Sequence, residues 1–196
     1  MFTGIIKHSG SFKGFRSGKK GLLIEAPSVA DKISIGDSLA VNGVCLSLTG
    51  KEKGILLFDL SGETLKKTTL GSLRPKDRLN LELPVTPTTL LGGHLVTGHV
   101  DGKGKVKRVV KKGDGKRISV SYRPELKPFF VPKGSVALNG VSLTVAEIKS
   151  SSIEVELIPL TIQDSNLDAL NTGDEVNIEC DIIGKYVYNW ISKRQR

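Results

Sequence analysis

The 196 residues include only two cysteines, three histidines, one tryptophan and one methionine, and these scarcities remove whole classes of function. Cys45 and Cys180 are separated by 134 residues and lack any CxxC partner. Three histidines without companion cysteines do not make a zinc ligand set, so neither a metal site nor a disulfide is expected. No apolar run approaches the roughly 18–20 residues that span a bilayer. The start, MFTGIIKHSG, lacks the basic segment and long apolar core of a secretory signal, so a soluble cytoplasmic protein with no membrane segment is expected. Aromatics are 5% of the chain, too few for the base-stacking surface of a nucleic-acid binder, although the net charge is +9. That charge is spread, +5 over residues 1–93 and +4 over the rest. Its densest run, Lys103, Lys105, Lys107, Arg108, Lys111, Lys112, Lys116 and Arg117, reads as the wet face of a hairpin turning at Gly113-Asp114-Gly115. No nucleic-acid partner is expected.

What is present is a repeat. Residues 41–48 read VNGVCLSL, and 138–145, ninety-seven positions on, read LNGVSLTV. The same offset pairs FDLSGETLKKTTL at 58–70 with VELIPLTIQDSNL at 155–167, and DRLNLE at 77–82 with DEVNIE at 174–179. Near the front the offset is 94, where TGIIKHSGSFK at 3–13 meets TGHVDGKGKVK at 97–107. Units of this length close their own cores, so they are domains rather than solenoid repeats. The expected division is 1–93, 94–184 and a tail at 185–196.

Short β-branched and apolar segments recur at 21–26, 38–49, 55–60, 78–83, 117–122, 135–147, 153–158 and 175–182, separated by turn residues. About six short strands per unit must close on themselves to protect their edges, which predicts an all-β chain of two similar barrels or tight sandwiches with pseudo-symmetry. Helical patterning is confined to one or two turns at 63–73 and 160–170 and to the tail. There Tyr186, Val187, Trp190 and Ile191 fall at helical spacing and need a surface to bury them. Either the chain's own barrel or a second subunit would serve.

The copies differ where chemistry is possible. Ile5 in the first corresponds to His99 in the second, and Cys45 to Ser142. Strand alternation puts Cys45 and Ser47 on one side, as it does Ser142 and Thr144, giving each unit a pair of small hydrogen-bonding side chains suited to a planar polar ligand. A lone strand cysteine is by itself more often a small core residue than a nucleophile. The GGH at 92–94 and GHVDG at 98–102 lie at the junction of the units, where a cleft can form.

MFTGII, NGVCLS, NGVSLTV, ETLKKTTLG, LGGHLVTGHVDG, Lys133-Gly134-Ser135, LIPLT and VNIECDIIGKYV, in this order across essentially the whole chain, resemble riboflavin synthase of the α-chain type with tandem lumazine-binding domains. The resemblance implies two six-stranded Greek-key barrels and a C-terminal helix that serves as an oligomer contact. It implies a cofactor-free dismutation of two 6,7-dimethyl-8-ribityllumazine molecules to riboflavin and 5-amino-6-ribitylamino-uracil, in a homotrimer, with lumazine synthase as a further partner. Carried onto this chain, the first barrel's substrate contacts fall on Gly4, Ile5, Ile6, Cys45, Leu46, Ser47, Asp59, Leu60, Ser61, Gly62, Glu63 and Thr64. The second barrel's fall on Gly98, His99, Val100, Lys133, Ser142, Leu143, Thr144, Glu156, Leu157, Ile158, Pro159, Leu160 and Thr161. Ile6, Leu60 and Ile158 would supply apolar ring contact, and Lys133 a charged anchor. For catalysis it implicates His99 in moving a proton at a ring methyl, Cys45 in assisting addition at the other ring, and Ser142 and Thr144 in stabilising developing charge. Phe2 would pack the N-terminal strand over the site, and Asp181 would orient partners across the subunit boundary. Ser47 stands where threonine is common, and Ser165-Asn166 replaces the Thr68-Thr69 of the first copy. A non-catalytic lumazine or flavin carrier of the same duplicated fold is the alternative.

Overall fold

In the computed structural model, which describes residues 1–16 and 18–194, the first unit contributes β1 (His8–Arg16), β2 (Gly21–Glu25), β3 (Ser38–Val41), β4 (Val44–Glu52), β5 (Ile55–Asp59) and β6 (Arg78–Glu82). The second contributes β7 (Gly102–Lys112), β8 (Gly115–Ser121), β9 (Ser135–Leu138), β10 (Val141–Ile148), β11 (Ser152–Leu157) and β12 (Glu175–Cys180). Each set closes into an antiparallel Greek-key barrel, ordered β1-β2-β5-β4-β3-β6 and, equivalently, β7-β8-β11-β10-β9-β12. The pseudo-two-fold symmetry implied by the repeat is therefore real at the level of strand order. Among the described residues no helix is long and apolar enough to cross a membrane.

Two stretches that the pattern presents as single strands, 38–49 and 135–147, are each a hairpin. The reason is the Asn-Gly pair at each centre. Asn42 and Gly43 have φ of 46° and 76°, and Asn139 and Gly140 have 46° and 79°, the doubly positive φ of a tight hairpin turn. The turns then meet tip to tip. A Cβ on Gly43 would lie 2.6 Å from the Gly140 nitrogen, and one on Gly140 2.7 Å from that of Gly43, so only glycines allow this approach. The lysine-rich run is a hairpin as expected, with Lys112 paired to Gly115 between β7 and β8.

Inward positions of the first barrel (Leu22, Ile24, Leu48, Leu56, Phe58, Leu79, Leu81) form one core, and Val120, Val136, Val145, Val155 and Ile178 anchor the other. A third small cluster, Phe2, Ala40, Val96 and Ala137 with Cys45 against it, fills the space between the barrels. Beside it lies a symmetric amide lock. Asn80 receives the Asn166 N–H on its side-chain oxygen (2.7 Å) and donates to the Asn139 carbonyl (3.0 Å). Asn177 does the same with the Thr69 N–H (2.7 Å) and the Asn42 carbonyl (2.8 Å). Every one of these four bonds crosses from one barrel to the other, so buried amides fix the relative placement of the domains.

The helical segments are α1 (Pro27–Ala30), α2 (Gly62–Lys67), α3 (Pro159–Asp164) and α4 (Ile182–Arg194). Ser61 caps α2 by accepting from the Thr64 N–H at 3.0 Å, and Pro159 opens α3 at a position where its missing N–H costs nothing. Both break at a hydroxyl residue, Thr68 or Ser165, which is extended and restarts the chain as a 3₁₀ turn. The tail helix begins earlier than the expected 185, because the Asp181 carboxylate accepts from the Ile183 N–H at 3.0 Å and starts the turn there. Residues 195–196 of that expected segment lie outside the described ones. Its apolar side chains stay in the open, with Tyr186 70% and Trp190 58% exposed. It meets its own barrel at the edge of Phe129 against Tyr188 and through the Lys185–Asp101 ion pair at 2.7 Å.

Candidate active site

Two short segments, Thr3-Gly4 and Thr97-Gly98, build the site. The Glu82 carboxylate at the end of β6 accepts from Thr3 N–H and Thr3 O–H, both at 2.7 Å, and from Gly4 N–H at 3.0 Å. Glu179 at the end of β12 accepts from Thr97 N–H and O–H, both at 2.7 Å, and from Gly98 N–H at 2.9 Å. Burial pushes the Glu82 carboxyl above its ordinary range, and its three hydrogen bonds pull the other way. Held at one end on their own barrels, the segments cross to the other. The Gly4 carbonyl accepts from Ser142 N–H at 2.8 Å, and the Gly98 carbonyl from Cys45 N–H at 2.9 Å.

This exchange corrects the grouping carried over from the repeat. Ile6 is buried in the second barrel's core and Val100 packs against the first. Gly4 and Ile5 therefore stand beside Ser142, while Gly98 and His99 stand beside Cys45. The residues expected in each pocket trade one segment, because chain order does not determine which barrel a terminal segment lies on.

On β4, Cys45 is half-buried and Ser47 exposed, with Leu46 buried between them. On β10, Ser142 is half-buried and Thr144 exposed, with Leu143 buried. The outward pairs are as alternation requires. The side chains of Ile6, Leu46, Leu60, Leu143 and Leu157 belong to the barrel cores, so the ring contact expected of Ile6 and Leu60 is not available from them. Ile158 and Leu160 are outward at 59% and 61% exposure. Asp59, Ser61, Gly62 and Glu63 are exposed, Thr64 and Thr161 half-buried, and Glu156 and Pro159 exposed. A cavity of about 610 Å³ reaches Asp59, Leu60 and Gly62, with Arg16, Lys20 and Leu65 on its other sides. It does not extend to Cys45 or His99, whose face is open in a single chain.

Phe2 is fully buried between the barrels, beneath Cys45 rather than over an open face. The Asp181 carboxylate is occupied just ahead of α4, by the Ile183 N–H. Lys133 is exposed with φ of 65°, where the first copy has Gly36 at 95°. The left-handed backbone alone does not distinguish it, since Lys76 (φ 76°) matches Gly173 (104°) in the same way. Its charge does reach Glu156, which it helps to hold below the usual carboxylate range, behind the larger effect of Lys112.

One group in the site, the histidine of the GGH noted at the junction of the units, was given no role by the sequence-based expectation. His94 is 8% exposed, its Nδ1 lies 2.7 Å from the Ser142 Oγ, and burial lowers its pKa against the opposing pull of Asp181 and Glu179. Glu82 and Glu179 were likewise unassigned, though their equal place in DRLNLE and DEVNIE was a usable signal.

Residues 3–84 and 97–181 each match the family described as Lumazine binding domain. The riboflavin synthase of Bacillus subtilis (strain 168) is 36% identical over 98% of this chain and 91% of its own. The riboflavin synthase of Schizosaccharomyces pombe is 36% identical over all of both chains. The chain belongs to the riboflavin synthase family. The family's duplicated fold is also that of LumP, whose riboflavin complex superimposes with a TM-score of 0.85 at 24% identity, covering 92% of this chain and 99% of that one. The LumP complex with 6,7-dimethyl-8-(1'-D-ribityl) lumazine gives 0.81 at 22% identity, covering 91% and 98%. These likenesses speak to fold alone.

Proposed function

We propose that the chain is a riboflavin synthase, converting two molecules of 6,7-dimethyl-8-ribityllumazine to riboflavin and 5-amino-6-ribitylamino-uracil by transfer of a four-carbon unit. The observation that carries this is a pair of like pockets with unlike reactive groups: Cys45, Ser47 and His99 on the first, Ser142, Thr144 and Lys133 on the second. A reaction between two copies of one substrate needs two sites of the same shape but of different chemistry. Holding both partners replaces a bimolecular encounter by a fixed geometry, which can supply up to ~7–11 kcal/mol. His99 moves a proton at a ring methyl, acting as a general acid or base. Cys45 assists addition at the partner ring, and Ser142 with Thr144 stabilises charge as it develops.

Both faces are open in one chain, and α4 carries Tyr186, Val187, Trp190 and Ile191 uncovered. These features support a homotrimer in which the first pocket of one subunit faces the second pocket of a neighbour. The cytoplasm, and lumazine synthase as a further partner, complete this reading.

The test is incubation of the purified chain with 6,7-dimethyl-8-ribityllumazine and no added cofactor. One mole of riboflavin is expected per two of lumazine consumed. Tight binding without turnover would instead make the chain a carrier, and absence of both would overturn the reading.

Lys133→Gly separates a ligand anchor from a turn residue. Glycine relieves a left-handed backbone that costs a side-chain-bearing residue ~1–2 kcal/mol, partly offset by ~0.5–1 kcal/mol of glycine's own entropy. The variant is expected to gain stability on thermal unfolding yet bind lumazine about tenfold more weakly, the scale of one lost hydrogen bond to a charged group. Unchanged affinity would return Lys133 to the solvated turn lysines typified by Lys76.

A further inference from the structure

The second pocket holds a histidine hydrogen-bonded to its serine. His94 enters it from the inter-barrel linker. Gly93 makes the approach possible, since a Cβ there would lie 2.1 Å from the Thr3 carbonyl oxygen and 2.9 Å from the Ser142 Oγ. The His94 backbone N–H donates to that same Thr3 carbonyl at 3.1 Å, which places the ring over Ser142.

We propose that His94 is the positioning residue of the second pocket, holding the Ser142 hydroxyl so that its proton points outward to an acceptor atom of the bound lumazine. This rests on the lumazine-binding reading above. The tautomer follows from burial. Among the described residues the His94 Nε2 has no hydrogen-bond partner. An N–H left without an acceptor is rarer in buried sites than an unpaired acceptor, so the proton belongs on Nδ1. There it donates to the Ser142 Oγ at 2.7 Å and leaves the serine O–H free to donate in turn. Burial, which disfavours the imidazolium despite Asp181 and Glu179, keeps the ring in this neutral form. Cys45, at the equivalent place in the first pocket, has a weaker S–H donor, and among the described residues no imidazole is hydrogen-bonded to it although His99 stands nearby. Two identical substrate molecules must take different parts in the reaction, and a serine held as a donor in one pocket is a way for the protein to tell them apart.

The test is a double-mutant cycle on the full-length chain. His94→Phe fills the ring volume without the hydrogen bond, His94→Asn keeps a nitrogen at the Nδ1 position, and Ser142→Ala removes the partner. The readout is fluorescence titration with 6,7-dimethyl-8-ribityllumazine, resolved into two binding steps, beside kcat and KM. His94→Phe and Ser142→Ala are each expected to weaken one of the two steps roughly three- to tenfold, as for one hydrogen bond, and their combination is expected to do no more than Ser142→Ala alone. His94→Asn is expected to restore most of the loss. Multiplying effects in the double variant, or a His94→Asn chain no better than His94→Phe, would overturn the proposal. A wild-type chain that binds lumazine without turnover would fail the catalytic reading and leave this cycle readable. Absence of binding would remove both.

Discussion

A Gly98→Ala chain is expected to lose several kcal/mol of stability and nearly all riboflavin formation together. Gly98 has φ of 81°, a conformation that costs an alanine ~1–2 kcal/mol. The new Cβ would lie 2.5 Å from the Cys45 Cβ, 2.8 Å from its nitrogen and 3.0 Å from its Cα. Two of those atoms are backbone in a closed barrel, so the exchanged strand must move instead. That displaces the Gly98 carbonyl from the Cys45 N–H and carries His99 away from Cys45. Overpacking adds ~1–3 kcal/mol, for a total of about 2–5 kcal/mol. Gly113→Ala is the natural control, for its φ of 57° is also left-handed but nothing lies within 4 Å of the added carbon. It should show the conformational cost alone and normal turnover. Urea unfolding and the two-lumazine assay read both quantities. A Gly98→Ala midpoint equal to that of Gly113→Ala would mean that residues 97–99 are not locked on the first barrel.

The same feature marks where the sequence stops being legible. Whereas the Greek-key order was implied only by the family resemblance, the strand positions, the lysine-rich hairpin, the outward Cys45–Ser47 and Ser142–Thr144 pairs and the small helical turns all follow from local pattern and an internal repeat. Each depends on residues a few positions apart or on one unit copying the other. The split of 38–49 and 135–147 into hairpins was also local, in the Asn-Gly pairs, and was obscured by the continuous apolar run around them. The strand exchange is different. Its contacts join Gly4 to Ser142 and Thr3 to Glu82, residues 138 and 79 apart, and no period or turn signal encodes them. The shift of repeat offset from 94 to 97 shows that the front of each unit is connected differently from the rest, but not where it goes. His94 was concealed for a related reason. It lies ahead of the span 97–107 that aligns with 3–13, so a reading built on comparing copies passes over it.

Asymmetry within a symmetric frame then becomes the link from fold to chemistry. Glu82 and Glu179, Gly4 and Gly98, Asn80 and Asn177 are equal partners, and they hold the scaffold. The core positions also differ, as in Phe58 against Val155, but the unequal positions able to meet a ligand face outward: Ile5 against His99, Cys45 against Ser142, Gly36 against Lys133. A duplicated chain can change these positions without disturbing its cores, because strand alternation separates the two sets of side chains. Thr69 and Asn166 are one exception inside the frame. There the asparagine side chain adds bonds to Asn42 and to the Arg78 carbonyl, both at 3.0 Å, that a threonine is too short to make. The added bonds tighten the lock on one side of the pseudo-axis only.

Phe2→Ala tests whether that frame and the site are one mechanical unit. Phe2 is fully buried at the meeting of both barrels, against Ala40 of the first, Ala137 of the second and Val96 of the linker, with Cys45 beside it. Its neighbours are mostly small residues on strands that are already paired, so they cannot collapse into the space a lost ring would leave. A loss of ~3–5 kcal/mol is expected, the range for a phenylalanine truncated in a core. The paired Phe2–Val96 backbone bonds, at 2.7 and 3.1 Å, do not need the ring, so the chain should keep its path while the barrels loosen. Turnover should fall with stability, because Cys45 rests on the ring and the exchanged strands pass on either side of it. Phe2→Leu, which fills much of the volume, should recover most of both. A Phe2→Ala chain with a wild-type urea midpoint but no turnover would refute the packing role and assign the ring to the substrate instead.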